Sequence, residues 1–157
     1  MSVGDYLKPD RPDDQLGAMT VGDIARDRVI TASPDATVKS IVESMDKHDV
    51  GCIIVERNGE PIGIVTDRKI ALQLRDTPDL QNHAVKEYMT SDLVTVHESD
   101  GVKETIETIS EAGIRRVPVV DDGDELVGIV SIDDLAVLLA DEVDDLSQVV
   151  AKQSPRF

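Results

Sequence analysis

The chain is poor in the residues that anchor most small proteins. Among 157 residues there is one cysteine, no tryptophan, one phenylalanine and two tyrosines. A single thiol, Cys52, excludes an intrachain disulfide and with it a disulfide-stapled secreted scaffold. So few aromatic rings leave little to stack on single-stranded nucleic acid, where such platforms carry much of the affinity. Basic residues are also scarce: 16 Lys and Arg stand against 32 Asp and Glu, a formal net charge of −16. That balance disfavours direct binding to a nucleic-acid backbone or an anionic membrane surface, which a basic footprint normally provides. The N-terminus lacks the apolar stretch of a signal peptide, and no run approaches the roughly 20 apolar residues that span a bilayer. A cytoplasmic protein is expected.

What the chain does have is aliphatic. Hydrophobic residues make up 40%, so the core must be built from Val, Ile, Leu, Ala and Met. Asp exceeds Glu by 22 to 10. This composition fits a high-salt cytoplasm, where screening weakens the repulsion among many carboxylates.

Comparing the sequence with itself reveals a repeat. Val29-Ile30-Thr31-Ala32 aligns with Leu93-Val94-Thr95-Val96 at an offset of 64. One extra residue after Gly123 shifts the offset to 65, and Gly63-Ile64-Val65-Thr66 then matches Gly128-Ile129-Val130-Ser131. The repeats are read as 19–76 and 84–141, joined by a linker at 77–83, with a tail or arm at 1–18 and a C-terminal tail at 142–157. Val143, Leu146, Val149 and Val150 in that tail are suited to extend a helix or touch a partner subunit.

Each copy carries the same signals. A short β-rich run (29–32; 93–96) leads into polar helix-starting residues, Ser33 to Thr37 and Glu98 to Asp100. A helix follows with Val38, Ile41, Val42 and Met45 on one face; its counterpart uses Val102, Ile106 and Ile109. Two apolar runs then flank Asn58-Gly59 (52–55 and 62–65) or Asp122-Gly123 (117–120 and 126–130), strong hairpin signals because both dipeptides tolerate positive φ. A second helix closes each unit, at about 67–75 and 132–141. The fold class is mixed α/β (α+β): two β-α-β-β-α repeats, packed sheet against sheet with pseudo-twofold symmetry.

The Gly-Ile-Val-Thr/Ser pattern places Thr66 and Ser131 at the starts of the closing helices. Either hydroxyl serves as a plain N-cap, and Ser131 to Asp134 fits a capping box. The same exposed N–H groups also favour a phosphate. Arg115-Arg116, just ahead of an apolar strand in an acidic protein, makes an anion site plausible there. His48, His83 and His97 share no metal-ligand spacing, and Asp121-Asp122-Gly123-Asp124 lacks the ligand pattern of a calcium loop, so no metal site is expected. Cys52 reads as a small buried hydrophobe. No nucleophile or acid–base pair stands in a recognisable context, and no enzyme activity is expected.

Taken together, Val-Gly-Cys-Ile-Ile-Val…Gly-Ile-Val-Thr-Asp-Arg in the first copy and Ile-Arg-Arg-Val-Pro-Val-Val…Leu-Val-Gly-Ile-Val-Ser-Ile-Asp-Asp-Leu in the second resemble a tandem CBS (cystathionine-β-synthase-type) domain over about residues 20–140. The resemblance implies a regulatory pair, usually dimerised, with two clefts for adenosine-containing ligands such as AMP, ADP, ATP or S-adenosylmethionine, and an unidentified partner protein. No obligatory cofactor is implied. One cleft would combine Ser131 and Asp134 with Ile30, Thr31 and Val50; the other would combine Thr66 with Val94, Ile114, Arg115, Arg116 and Pro118. The first repeat departs from the pattern: the family's aspartate position is Lys69, which cannot accept hydrogen bonds from a ribose, so with Arg115 and Arg116 nearby that cleft is expected either to take a more phosphorylated ligand or to stay empty. Each cleft then holds half of the best recognition set, a carboxylate in one and the arginine pair in the other. The alternative is a structural or adaptor dimer with vestigial ligand sites.

Overall fold

A computed structural model describes residues 19–153. The arm at 1–18 and the last four residues lie outside that range. The described chain runs α1 (Val21–Ile24), β1 (Thr31–Ala32), α2 (Val38–His48), β2 (Cys52–Arg57), β3 (Glu60–Thr66) and α3 (Asp67–Gln73). After two 3-10 turns, Leu80–Asn82 and Val85–Glu87, follow β4 (Val96–His97), α4 (Val102–Ala112), β5 (Arg116–Val120), β6 (Leu126–Ser131) and α5 (Ile132–Gln153). Two three-stranded sheets result, in the orders β1-β2-β3 and β4-β5-β6. The expected mixed α/β class and the doubled unit are both present.

Within each repeat the first strand pairs parallel with the second, and the hairpin pairs antiparallel. A parallel neighbour needs a crossover, which α2 and α4 supply. Thr37 caps α2 by accepting from the Ser40 N–H at 3.2 Å. Val38, Ile41 and Met45 are buried, whereas Val42 is 46% exposed and lies off the core face on which its spacing placed it. In α4 the fully buried Thr105 occupies the place of Ile41; its hydroxyl donates to the Gly101 carbonyl at 3.0 Å, so no polar atom is stranded.

The turns differ. Asn58 and Gly59 both have positive φ (54° and 83°), as a two-residue hairpin turn requires. In the second repeat the positive φ falls on Asp124 (62°). The extra residue opens the turn, and the Asp121 carboxylate fills it by accepting from the N–H groups of Gly123 and Glu125 at 2.9 and 3.0 Å.

The packing units are offset from the sequence repeats. Val21 is fully buried among Val96, Val102 and Val117 of the second core. Leu80, from the connecting 77–83 segment, and Val85 complete the first core. Hydrogen bonds tie each leading segment across: Val21 N–H to Asp100 O (2.8 Å) and Gly22 N–H to Glu98 O (2.9 Å) repeat as Val85 to Ala36 (2.8 Å) and Lys86 to Pro34 (3.1 Å). Farther along, Arg26 exchanges two backbone hydrogen bonds with Ile129 (both 3.0 Å), and Thr90 does so with Ile64 (2.8 and 3.1 Å). Gly128 and Gly63 make this approach possible. A Cβ on Gly128 would stand 2.9 Å from Ala25 Cβ and 3.0 Å from the Arg26 oxygen; one on Gly63 would meet Met89 and the Thr90 oxygen. The glycine of the Gly-Ile-Val motif thus serves the crossing segment.

Backbone helix continues through the expected C-terminal tail as far as Gln153. No helix among the described residues is long and apolar enough to cross a membrane.

Candidate functional site

Between the repeats lies a cleft of about 330 Å³, within the range of small-ligand sites. Ile30, Val50 and Ile54 provide apolar wall, Ser131 and Asp134 stand on the second repeat, and Arg26, Arg28 and Arg116 bring three guanidinium groups.

Local structure builds the polar end. Ser131 ends β6 where α5 begins. Its hydroxyl donates to Asp134 Oδ2 at 2.8 Å and accepts from the Asp134 N–H at 3.1 Å, and the Ser131 N–H points to the same Oδ2 at 3.4 Å. The capping box expected there is formed, and it fixes the carboxylate at the cleft. Asp134 Oδ1 accepts from Arg26 Nε at 3.1 Å and Nη2 at 2.5 Å. Burial pushes the Asp134 carboxyl up, but the Ser131 hydroxyl and the Arg26 guanidinium more than offset it and hold the group below its ordinary value.

Arg116 corrects the sequence reading. It was expected with Thr66 in the other cleft, yet it lines the cleft of Asp134. The strand register gives the reason. Arg116 sits directly across from Ser131 in the β5–β6 ladder, and directly opposed residues project from the same face. The division into one cleft with a carboxylate and another with the arginines therefore fails. Among the described residues, neither Arg28 nor Arg116 makes an ion pair or side-chain hydrogen bond. In a chain with twice as many acids as bases, that is an uncommon condition.

The other expected residues are scattered. Thr31 is absent from the lining; its hydroxyl donates to Glu56 Oε1 at 3.3 Å. Thr66 caps α3, accepting from the Lys69 N–H at 3.2 Å, and Lys69 Nζ donates to Thr90 Oγ1 at 3.2 Å. Val94 and Ile114 pack against the second core. Pro118 is buried in β5. Arg115 is exposed and leans on Asp133 at 3.6 Å.

Arg26, Arg28 and Asp49 were missed. The two arginines flank Asp27 just ahead of the first apolar run, and only the crossing of that segment onto β6 brings Arg26 to Asp134. Asp49 ends α2 in the left-handed conformation, φ 53°. Cys52 is half-buried at the cleft wall, less enclosed than expected. Burial, opposed by Arg116 and reinforced by Asp67, pushes its thiol up, which disfavours the thiolate.

A family model described as "CBS domain" matches residues 21–76 and again 85–141. The chain belongs to the CBS-domain family. An uncharacterised protein of Methanopyrus kandleri is 35% identical over 122 residues, covering 76% of this chain; the match spans 62% of that relative's length. Among solved structures, the CBS domain pair of protein MJ0100, in complex with 5′-methylthioadenosine and S-adenosyl-L-methionine, has a TM-score of 0.70 at 29% identity, covering 79% of this chain and 98% of that one. CBS domain protein PAE2072 of Pyrobaculum aerophilum, complexed with AMP, has a TM-score of 0.69 at 26% identity, covering 78% and 97%. This chain is thus a tandem CBS pair in sequence and in fold.

Proposed function

We propose that this CBS pair is a regulatory module that binds an adenosine-containing ligand in the Asp134 cleft and signals its presence to a partner protein, without catalysing a reaction. One observation carries the reading. Asp134, fixed by Ser131, faces a cleft with apolar walls and two arginines, Arg28 and Arg116, that have no carboxylate partner among the described residues. A carboxylate accepts hydrogen bonds from both hydroxyls of a ribose, apolar strand residues cover a base, and spare guanidinium groups meet phosphate. Solved pairs of this fold are described with AMP, S-adenosylmethionine or methylthioadenosine. Because the cleft joins both repeats, a ligand there stabilises one relative arrangement of them and so alters the surface shown to a partner.

The opposite side of the pair is read as unoccupied by nucleoside, since Lys69 replaces the carboxylate and its ammonium is engaged with Thr90. The module also pairs with a second copy of itself. Leu72 on α3 and Leu74 just after it, and Val137 and Leu139 on α5, occupy matching positions in the two repeats and are 40–62% exposed, an apolar surface that self-association would cover. The setting is cytoplasmic.

The test is a thermal melt of the full chain with AMP, ADP, ATP and S-adenosylmethionine. A specific ligand raises the melting temperature in the wild type, by mass action, and not in Asp134→Ala. No shift with any of them refutes sensing and leaves the adaptor reading, in which the pair is constitutive and its clefts are vestigial.

A further inference from the structure

The cleft carboxylate is already engaged. Arg26 donates two hydrogen bonds to Asp134 Oδ1, while Ser131 holds Oδ2. A ribose that takes both oxygens must therefore compete with a guanidinium. The Arg26 side chain is 72% exposed and that of Asp134 is 19% exposed, so the arginine is the movable partner. Its backbone stays pinned to Ile129 by the paired 3.0 Å hydrogen bonds, which confine any swing to the side chain.

Where the guanidinium goes depends on what the ligand offers. Among the described residues, Arg28 and Arg116 line the same cleft without a carboxylate partner, and Asp49 is the one acid in the lining without an ion pair. Asp133, also in the lining, leans on Arg115. Once Arg26 leaves Asp134, three guanidinium groups face the ligand. A phosphate re-pairs the displaced arginine with a charge-assisted contact. A neutral nucleoside does not, so it loses an ion pair without replacement. A cationic sulfonium ligand is in addition repelled.

We propose that this cleft selects 5′-phosphorylated adenosine ligands over neutral or cationic ones, and that Arg26 enforces the choice by passing from Asp134 to the phosphate. The proposal rests on the reading of the cleft as an adenosine site. It makes Arg26 a specificity-determining residue as well as a tie between the repeats.

Calorimetry on the full chain at one fixed salt concentration tests it, with AMP, adenosine, 5′-methylthioadenosine and S-adenosylmethionine as probes. The wild type is expected to prefer AMP over adenosine by about tenfold or more, the scale of a hydrogen-bonded charge. In Arg26→Ala, adenosine binds at least as tightly as before, AMP binds more weakly, and the preference falls by about tenfold. Arg28→Ala, which leaves Asp134 untouched, weakens AMP without tightening adenosine; being exposed, it also keeps the test decisive should the Arg26 variant fail to fold. Equal wild-type affinity for AMP and adenosine overturns the selection, and a full preference retained in Arg26→Ala overturns its assignment to Arg26. Failure of every adenosine compound to bind the wild type, or AMP binding undiminished in Asp134→Ala, overturns instead the reading of the cleft, and the selection with it.

Discussion

Lys69 donates from Nζ to Thr90 Oγ1 at 3.2 Å, and the corresponding positions of the other repeat hold Asp134 accepting from Arg26. The partners have exchanged roles: the closing helix supplies a donor in the first repeat and an acceptor in the second. Two sites related by a common fold are thereby made chemically unlike. Of the two corresponding side chains, Lys69 and Asp134, only Asp134 can accept a hydrogen bond.

That asymmetry predicts one ligand per chain. Titration calorimetry with AMP should give a stoichiometry near one, and Lys69→Ala should leave the affinity within about twofold, as expected of a change away from the contact. Two equivalent sites in the wild type would refute the unequal reading.

Acid should weaken the fold through Asp134. Its carboxyl titrates below the ordinary 3.8 in the folded chain, so in acid the unfolded chain binds more protons. The stabilisation is fully present above the unfolded value and is lost as the pH falls through the folded one. Urea unfolding from neutral pH down to about pH 2 should show stability falling below about pH 5. In Asp134→Asn that fall should be shallower; an unchanged slope would remove Asp134 as a contributor.

Gly128→Ala should destabilise the pair by roughly 1–3 kcal/mol, the usual cost of overpacking. The new methyl meets Ala25 Cβ and the Arg26 backbone oxygen, neither of which is a flexible side-chain end. Chemical denaturation measures the loss, and AMP binding should weaken with it because the same shift carries the Arg26 guanidinium away from the cleft in which it would meet the phosphate. Full stability in the variant would show that the crossing segment yields freely.

Self-association should depend on the exposed apolar positions and on salt. Sedimentation should show a dimer that the double change Leu74→Lys, Leu139→Lys converts to monomer, with the far-UV circular dichroism unchanged. Molar salt should raise both the melting temperature and the dimer fraction, since screening weakens repulsion between copies that each carry −16. A wild type that is monomeric at every salt concentration would rule out the pairing.

Much was legible in the sequence because it is local. The 64-residue offset announced the doubling, and spacing of three and four residues placed α2 and α4. Asn58-Gly59 fixed a turn, and Ser131 to Asp134 formed its capping box through bonds three residues apart. Val42 shows the limit even there: the spacing that includes it marks a stripe, while the width of the buried stripe depends on what packs against it. The tertiary structure alone decided which residues meet across the repeats. Arg26 lies 108 positions from Asp134, and nothing in its neighbourhood signals a partner so distant. Arg116 was visible as a rare charge, but its cleft was set by strand register opposite Ser131. The sequence determined the units and the chemical groups they carry; the crossing of each leading segment onto the other repeat, permitted by Gly63 and Gly128, decided which groups share a site.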